Sequence, residues 1–242
     1  MNRPPASIRF DMRHRPLKRE PRARRTIKAL AVLSLLVLPT AQAFALNVVL
    51  CNDDGVTAAN MRALKHKLVA AGHSVIVAAP ADNQSGSGGA LAFLKPIATL
   101  TGNERAAKAL GLVTGMPGIG IDPSDSDVHY VNSSPVAACL YGIDVQAPRK
   151  WGSAPDLVIS GPNEGNNLGA IVASSGTFNN LVYAIGRDLP AVAVSDAVAT
   201  QVTWSDTLPP THRSFEVADI TLKLVQALVD NKAAAGGHLM PV

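Results

Sequence analysis

The feature that most constrains the fold is a pair of short apolar runs separated by one helical segment. Leu46–Cys51 and His73–Ala79 consist mainly of apolar residues, several of them β-branched, as expected for strands that are buried on both faces of a sheet. Between them, Ala58–Ala71 has apolar residues at roughly helical spacing, and Gly72 follows where helices commonly end. The apolar positions of this helix are Met61, Leu64, Leu68 and Val69. Residues 46–79 are therefore predicted to form a strand–helix–strand unit with parallel strands and a right-handed crossover.

The remainder of the chain repeats this alternation of strands and helices. The predicted strands are Val128–Val131, Asp156–Ser160 and Pro190–Ser195, and the predicted helices are Pro135–Ile143, Phe178–Arg187 and Glu216–Asp230. The apolar face expected for the last helix consists of Val217, Ile220, Leu224 and Leu228. Residues 90–130 hold several Gly and Pro residues and predict a hairpin or excursion with a short helix near Glu104–Leu110. The pattern predicts an α/β fold with a parallel sheet, in one domain over residues 46–242.

The positive charge of the chain is concentrated at its N-terminus. Ten of the 22 Lys and Arg residues, but only two of the 18 Asp and Glu residues, lie within the first 45 positions. The remainder of the chain is therefore net negative, although the whole sequence has a formal charge of +4. This distribution argues against stable nucleic-acid binding by the domain that follows, because the excess of basic residues lies outside it.

The first 45 residues have the order of features that is typical of a secretory signal peptide. A basic stretch precedes the apolar run Ala29–Leu38, Pro39 interrupts this run, and small residues suitable for cleavage follow near Ala43 and Ala45. The apolar run is ten residues long, whereas a membrane-spanning helix needs about 20. We therefore expect residues 1–45 to be a signal peptide cleaved near Ala43 or Ala45, which leaves an exported, periplasmic or secreted protein without a membrane anchor. An uncleaved N-terminal anchor is the alternative.

The two cysteines, Cys51 and Cys139, each lie in an apolar segment. An exported protein could pair them in a disulfide, because its compartment is oxidising. Buried free cysteines are nevertheless common in apolar segments, and two separate buried thiols are the expectation from the sequence.

Three polar loops follow predicted parallel strands. They are Asn52–Gly55, Asp82–Gly89 and Ser160–Asn167. In open α/β sheets the ligand site lies at the carboxyl ends of the strands, so the topology would bring these loops together. Asp53 and Asp54 in the first loop are adjacent carboxylates, and a divalent cation such as Mg²⁺ or Mn²⁺ would relieve their repulsion. A turn closed by Gly55, without a metal, is the alternative.

The segment Ser175-Gly176-Thr177 directly precedes a predicted helix. Its hydroxyl and amide groups, at the positive end of that helix, could bind a phosphate group. The same residue types also cap helices for purely structural reasons. The glycine-rich loop 82–89 is open to two similar interpretations, since it could help to bind an anion or a metal or could be an ordinary surface loop. The spacing of the histidines does not indicate a zinc site.

Five segments, in this order along the chain, resemble the SurE family of 5′/3′-nucleotidases and acid phosphatases. They are NDDG (52–55), APADNQSGSG (79–88), SGPNEGNNLG (160–169), SSGT (174–177) and LPAVAVS (189–195). The form GPNxGxNLG, together with AAN at 58–60, is similar to the secreted branch of that family. The resemblance implies a Rossmann-like three-layer α/β/α fold with a mainly parallel sheet, and assembly as a homodimer or homotetramer.

The resemblance also implies roles for individual residues. The metal ligands of the family fall on Asp53, Asp54, Ser85 and Asn163. The residues implied to hold the phosphate are Asn52, Ser175, Gly176 and Thr177. Asp53, Asp54 and Asn163 are also implied to be catalytic. The implied reaction is hydrolysis of nucleoside monophosphates, in which a water molecule activated by Mg²⁺ or Mn²⁺ attacks the phosphoryl group directly.

The sequence departs from the family pattern in two places. Where the family usually has GTPxDC, residues 133–139 read SSPVAAC and lack the Asp, which bears on substrate preference. The family also continues into a further strand beyond a segment similar to residues 236–241, whereas this sequence ends at Val242. The expected fold is therefore the family core without those C-terminal elements.

Two other functions fit parts of the pattern. A haloacid-dehalogenase-type phosphatase uses Asp-x-Asp-Gly, and aligning that motif on Asp54-Gly55 places Asn52 at the nucleophile, where an amide cannot form an aspartyl phosphate. An exported nucleotide- or metal-binding protein without turnover is the main alternative to an enzyme. Release of phosphate in the presence of Mg²⁺ or Mn²⁺, with a chelator control, would separate the two.

Overall fold

The computed structural model describes residues 45–234 and Leu239. Their strands are β1 (Asn47–Cys51), β2 (Ser74–Pro80), β3 (Ile119–Asp122), β4 (Asp125–Val131), β5 (Leu157–Glu164) and β6 (Ala191–Asp196). Their α-helices are α1 (Ala59–Ala70), α2 (Arg105–Leu110), α3 (Pro135–Leu140), α4 (Ala147–Trp151), α5 (Gly176–Ile185) and α6 (Arg213–Ala234). A π-helical segment, Tyr141–Gln146, joins α3 to α4, and a 3-10 helix, Gly169–Ser174, precedes α5. Residues 1–44, which hold nearly all of the predicted signal peptide, lie outside the described residues.

The strands form one sheet with the order β3-β4-β2-β1-β5-β6. β1 lies between β2 and β5 and is parallel to both, and the pairs β2–β4 and β5–β6 are also parallel. At one edge of the described sheet, β3 is antiparallel to β4. The predicted α/β fold with a mainly parallel sheet is confirmed, and the excursion over residues 90–130 contains the expected short helix and a hairpin.

Successive residues of β1 face opposite layers of the core. Val48 and Leu50 belong to a buried cluster that includes residues of α1, α2 and α6, whereas Val49 and Cys51 belong to a second cluster with residues of α3 and α5. Because both faces of the strand are covered, the strand sequence is continuously apolar rather than alternating. The helices therefore form two layers, one on each side of the sheet.

The two helices that pack together on one side of the sheet differ from the sequence prediction in their buried faces. In α1, Met61, Leu64 and Leu68 are buried as predicted, but Val69 is exposed. In α6, Ile220 is 61% exposed and Leu224 is 38% exposed, so this part of the prediction is wrong. The buried face of α6 consists of Ser214, Val217, Ala218, Thr221, Val225, Leu228 and Val229. Its polar members have partners, since the Ser214 hydroxyl donates to the Asn60 side chain of α1 at 2.7 Å and the Thr221 hydroxyl donates within the helix to the Val217 carbonyl at 2.8 Å. Among the described helices, none is both long enough and apolar enough to cross a membrane.

The last strand is less buried than its sequence predicts. Pro190–Ser195 is predicted to be a buried strand, but Ala193 and Ser195 of β6 are exposed. These residues are exposed because β6 lies at the edge of the described sheet, where only β5 pairs with it. An apolar run alone does not distinguish a central strand from an edge strand.

The cysteines also differ from the prediction. Cys51 and Cys139 are joined by a disulfide, with their Cα atoms 5.4 Å apart, so the expectation of two separate thiols is wrong. Cys51 ends β1 and Cys139 lies on α3, which packs against β1 in the second core cluster. Their proximity follows from this tertiary contact, across 88 residues of sequence, and not from any local pattern.

Candidate metal and phosphate site

Three polar loops meet at the carboxyl edge of the sheet. Residues 52–55 follow β1, residues 82–89 follow β2, and residues 160–167 include the end of β5. Because β1 pairs with β2 on one side and with β5 on the other, the loop after β1 lies between the other two. This is the position at which ligand sites of open α/β sheets form.

Asp53 is held by the N-terminus of α5. Its Oδ2 accepts a hydrogen bond from the Gly176 amide at 3.1 Å, and its Oδ1 accepts one from the Thr177 hydroxyl at 2.8 Å. The residue is 2% exposed. A carboxylate at this end of a helix also benefits from the partial positive charge of the terminal amide groups.

Asp54 is held by the end of β5. Its Oδ2 accepts a hydrogen bond from the Glu164 amide at 2.9 Å, and the residue is 1% exposed. Asp53 and Asp54 therefore bring two buried carboxylates, each with one or two donors, to the same turn. That number of donors is small for two charges that have been removed from water.

Burial dominates the electrostatics of this pair. Loss of solvent raises the pKa of Asp53, against the hydrogen bonds from Thr177 and Gly176. Burial together with the negative charge of Asp53 raises the pKa of Asp54 to about 7. Burial likewise raises the pKa of Glu164, although the Val202 amide and Arg105 oppose it. The turn thus concentrates negative charge that a nearby cation would stabilise.

Two asparagines supply neutral oxygen atoms near the aspartates. The Asn163 side-chain amide donates to the Gly165 carbonyl at 2.8 Å, and that of Asn52 donates to the Gly55 carbonyl at 3.3 Å. Both Oδ1 atoms are buried and have no hydrogen-bond partner among the described residues. A buried acceptor without a donor is costly, and coordination of a cation is one way to satisfy it. The donor set therefore fits a hard divalent cation, which prefers oxygen ligands.

Ser85 lies on the loop after β2, which is attached to the first aspartate. The Gln84 amide donates to the Asp53 carbonyl at 2.8 Å, and the Ser85 amide donates to the Asn83 side chain at 2.8 Å. Ser85 itself is exposed. Within residues 45–234, no group of three or more His, Cys, Asp or Glu side chains is arranged to hold a metal ion. A cation here would therefore depend on serine, asparagine and water oxygens in addition to the two aspartates.

Comparison with known proteins decides the family. The family described as "Survival protein SurE" matches residues 48–241. The chain belongs to the SurE family. It is 37% identical over 150 residues to an acid phosphatase of Yarrowia lipolytica, a match that covers 61% of this chain and 41% of that protein. It is 33% identical over 183 residues to a 5′-nucleotidase SurE of Gloeobacter violaceus, a match that covers 76% of this chain and 58% of that protein.

A solved structure supports the same fold. The SurE protein of Aquifex aeolicus superposes with a TM-score of 0.54 and 24% sequence identity, over 76% of this chain and 60% of that one. The chain spans about half the length of the curated SurE relatives that it matches. The matched region includes all three loops of the site, since residues 48–241 extend from β1 to beyond α6.

The predicted phosphate-binding residues Ser175, Gly176 and Thr177 of this SurE protein lie beside Asp53, and two of their donors already have Asp53 as a partner. Ser175 caps α5, because its hydroxyl accepts from the Phe178 amide at 3.1 Å. The Gly176 amide and the Thr177 hydroxyl donate to Asp53. Their role toward a phosphate stays a prediction, whereas their contact with Asp53 links α5 directly to the candidate metal site.

Two residues outside the predicted set, Glu164 and Arg105, also contact this site. Glu164 lies inside the predicted polar loop 160–167 and is the only acidic residue in it. This position in a predicted site loop could have identified Glu164 as a candidate site residue. Arg105 begins α2, and its Nη1 donates to the Asp54 carbonyl at 3.1 Å. An arginine at the start of a short helix in an irregular excursion carries no sequence signal for such a contact.

Gly176 is required by a close approach between α5 and the first aspartate. A Cβ atom at this position would lie 2.6 Å from the Asp53 Cβ and 2.7 Å from the Pro135 Cγ. We expect Gly176→Ala to lower the free energy of unfolding by about 1–3 kcal/mol, since one of these backbones must move, and to weaken Mn²⁺ binding. Urea denaturation and Mn²⁺ titration would measure the two effects.

Gly186 provides the matched control, because it ends the same helix. A Cβ atom there would have no neighbour closer than the Val182 carbonyl oxygen at 3.5 Å, and its φ of −62° suits any residue. Gly186→Ala should therefore be neutral or stabilise by less than about 1 kcal/mol. Equal stability of the two alanine variants would contradict the packing argument.

Proposed function

We propose that this SurE-family protein is a metal-dependent phosphomonoesterase that hydrolyses nucleoside monophosphates. The observation that carries the proposal is the pair of buried aspartates, Asp53 and Asp54, together with the Asn163 Oδ1, which has no hydrogen-bond partner in the part of the chain that the structure describes. The similarity to an acid phosphatase and to a 5′-nucleotidase SurE supports phosphate-ester hydrolysis as the reaction.

In the proposed site, Asp53, Asp54, Ser85 and Asn163 would hold a divalent cation, with Mg²⁺ and Mn²⁺ as the best candidates because every ligand is an oxygen. When bound, the cation would supply positive charge to the phosphoryl oxygens and acidify a water molecule. The remaining steps depend on the chain itself. Asp53 is fixed by two hydrogen bonds from α5, so its orientation toward the cation is set before any ligand arrives.

Asp54 and the residues around α5 have separate proposed roles. One Asp54 oxygen accepts from the Glu164 amide, which leaves the other oxygen to bind the cation or to orient the attacking water. Asn52, Ser175, Gly176 and Thr177 would surround the phosphate. Since the Gly176 and Thr177 donors bind Asp53, they would act on the phosphate mainly by keeping that carboxylate in place. Asn52 would bind the phosphate through its side-chain amide nitrogen, because its Oδ1 can only accept.

Replacing Asp53 by Asn tests the proposal directly. We expect phosphate release from a nucleoside monophosphate in the presence of Mn²⁺ to fall by at least about 100-fold, because the variant loses an anionic ligand. The hydrogen bonds from Gly176 and Thr177 can be kept, since an amide oxygen accepts from the former and the Thr177 hydroxyl can accept from the amide nitrogen. The fold should therefore survive, which circular dichroism would check.

A colorimetric phosphate assay with Mg²⁺, Mn²⁺ and a chelator, run on 5′- and 3′-nucleotides and an aryl phosphate, would give the substrate class. Retained metal-dependent activity in Asp53→Asn would refute the assignment of Asp53. Binding of nucleotide and metal by the wild-type protein without phosphate release would favour the alternative function, a binding protein without turnover.

Export is a separate proposal, supported by the basic and apolar N-terminal pattern. Cleavage after Ala43 or Ala45 would leave a protein that begins at Phe44 or Leu46. N-terminal sequencing of the protein recovered from the periplasm or the medium tests this, and recovery of an intact N-terminus from the membrane fraction would contradict it.

A further inference from the structure

Arg105 contacts all three loops that carry the proposed metal ligands. Its Nη1 donates to the Asp54 carbonyl at 3.1 Å and lies 3.5 Å from Glu164 Oε2. Its backbone amide donates to Asp82 Oδ1 at 3.3 Å, and Asp82 begins the loop that carries Ser85. Arg105 thus joins the loop after β1, the loop after β2 and the end of β5, although α2 contributes no proposed ligand itself.

Glu164 completes a closed ring with Arg105 and Asp54. The Glu164 amide donates to Asp54 Oδ2 at 2.9 Å, and its side chain faces Arg105. The Glu164 side chain is 1% exposed, and that of Arg105 is 14% exposed. Glu164 Oε1 accepts from the Val202 amide at 3.0 Å, whereas Oε2 has no hydrogen bond among the described residues. The charge on Oε2 therefore depends on Arg105.

We propose that Arg105 and Glu164 are positioning residues that hold Asp54 in the geometry that binds the cation. The ring fixes Asp54 at two points, since its side chain is held by the Glu164 amide and its carbonyl by the Arg105 guanidinium. Removing either charge leaves the other buried and unpaired, so the backbone of Glu164 and the Asp54 turn would shift. Mutation of a residue that holds a metal ligand by a hydrogen bond typically lowers metal affinity by about 10- to 100-fold.

This inference rests on the proposed function in one respect, namely that Asp54 binds a divalent cation. It differs from a simple structural role for the ion pair in what it predicts. A pair that only stabilises the fold would change the unfolding midpoint and leave the Mn²⁺ affinity of the folded protein unchanged. A positioning pair changes the affinity, and excess Mn²⁺ restores the occupied site.

The experiment compares Arg105→Met, Glu164→Gln and the double variant by titration with Mn²⁺, in which electron paramagnetic resonance reports the free ion. Each single variant should bind Mn²⁺ at least about tenfold more weakly. The double variant should bind Mn²⁺ about as tightly as the weaker-binding single variant, because both changes break the same ring and their effects should not add. Phosphate release at saturating Mn²⁺ should recover most of its kcat, with KM for the nucleotide unchanged, since the hydrogen bonds of Arg105 among the described residues go to Asp54, Asp82 and Thr203 and not to the proposed phosphate residues.

Arg213→Gln is the matched control. Arg213 forms a closer and more exposed ion pair with Asp196, at 2.5–3.0 Å, and Asp196 is the register partner of Glu164 on the neighbouring strand. The Arg213 pair makes no contact with Asp54 among the described residues. This variant removes an arginine–carboxylate pair at the same level of the sheet, so its Mn²⁺ affinity should equal that of the wild type.

The outcomes separate the inference from the function on which it rests. Mn²⁺ binding by the wild type without phosphate release would refute the hydrolase proposal and leave the positioning role testable by affinity alone. An active wild type with unchanged Mn²⁺ affinity in both single variants would overturn the positioning role alone. Multiplicative losses in the double variant, or an equal loss in Arg213→Gln, would also overturn it, since the effect would then come from general loosening of the sheet edge.

Discussion

Asp54→Asn is expected to stabilise the protein in the absence of metal while abolishing its response to divalent cations. Asp54 is almost fully buried beside Asp53, and burial together with that neighbouring charge raises its pKa from 3.8 to about 7. An amide of the same shape has no charge to bury, and its oxygen can still accept from the Glu164 amide. The variant would lose an anionic ligand, so Mn²⁺ should no longer raise its melting temperature.

The pH dependence of this effect has a definite sign. A carboxyl group whose pKa is raised by folding stabilises the native state fully below its unfolded pKa of about 4, and this contribution is lost as the pH rises through about 7. The free energy of unfolding of Asp54→Asn should therefore equal that of the wild type near pH 4. As the pH rises to about 7, the variant should become progressively more stable than the wild type. A shift of this size corresponds to at most about 4 kcal/mol. Urea denaturation in the presence of a chelator, at pH 4, 6 and 8, would measure it.

Asp122→Asn is the control, because removing this carboxylate should lower the stability of the protein instead of raising it. Burial alone would raise the pKa of Asp122, but the hydrogen bonds from Ser124 and the charge of Arg62 outweigh it and lower this pKa. Arg62 donates to Asp122 at 2.8 Å and is itself buried. Removing the Asp122 charge should destabilise by about 3–5 kcal/mol, because Arg62 is left buried and unpaired. If Asp54→Asn also loses stability at pH 8, the repulsion argument for the aspartate pair is wrong.

The loops of the candidate site were predictable because strand ends are encoded locally. The apolar runs that form β1, β2 and β5 each stop at a polar cluster, and parallel strands bring their carboxyl ends to one edge. The pattern therefore predicts that the loops containing Asp53, Asp54 and Asn163 meet at one edge of the sheet. The resemblance to SurE proteins then pointed to the same residues on independent grounds.

Contacts between residues on different elements were not predictable in this way. Arg105 reaches Asp54 and Glu164 from a helix in an excursion that has no regular apolar pattern. In α6, the predicted stripe and the buried stripe share Val217 and Leu228, so the sequence pattern alone could not show which side of the helix faces α1. The Cys51–Cys139 bond depends in the same way on which helix covers β1, and that is decided by packing.

Removing the disulfide should cause a large loss of stability away from the metal site. The Cys51–Cys139 bond closes a loop with a sequence separation of 88 residues, and the chain-entropy relation for such a loop gives about 4–5 kcal/mol at 25 °C. Both residues are almost fully buried, so the variant Cys51→Ala/Cys139→Ala also loses apolar contacts. We expect a decrease of about 4 kcal/mol in the free energy of unfolding, measured by urea denaturation without reductant.

The same variant should leave the candidate site nearly intact, because a disulfide acts mainly on the unfolded chain. Cys51 immediately precedes Asn52, and α3 carries both Cys139 and the Pro135 that packs against Gly176, yet the hydrogen bonds to Asp53 come from α5. Mn²⁺ affinity measured well below the unfolding midpoint should therefore equal that of the wild type. Wild-type protein unfolded and refolded with reductant should lose most of the same stability and remain somewhat more stable than the double variant, because it keeps the contacts of the two buried thiols. An affinity loss as large as that of Arg105→Met would show instead that the bond helps to position the Asp53–Asp54 turn in the native state.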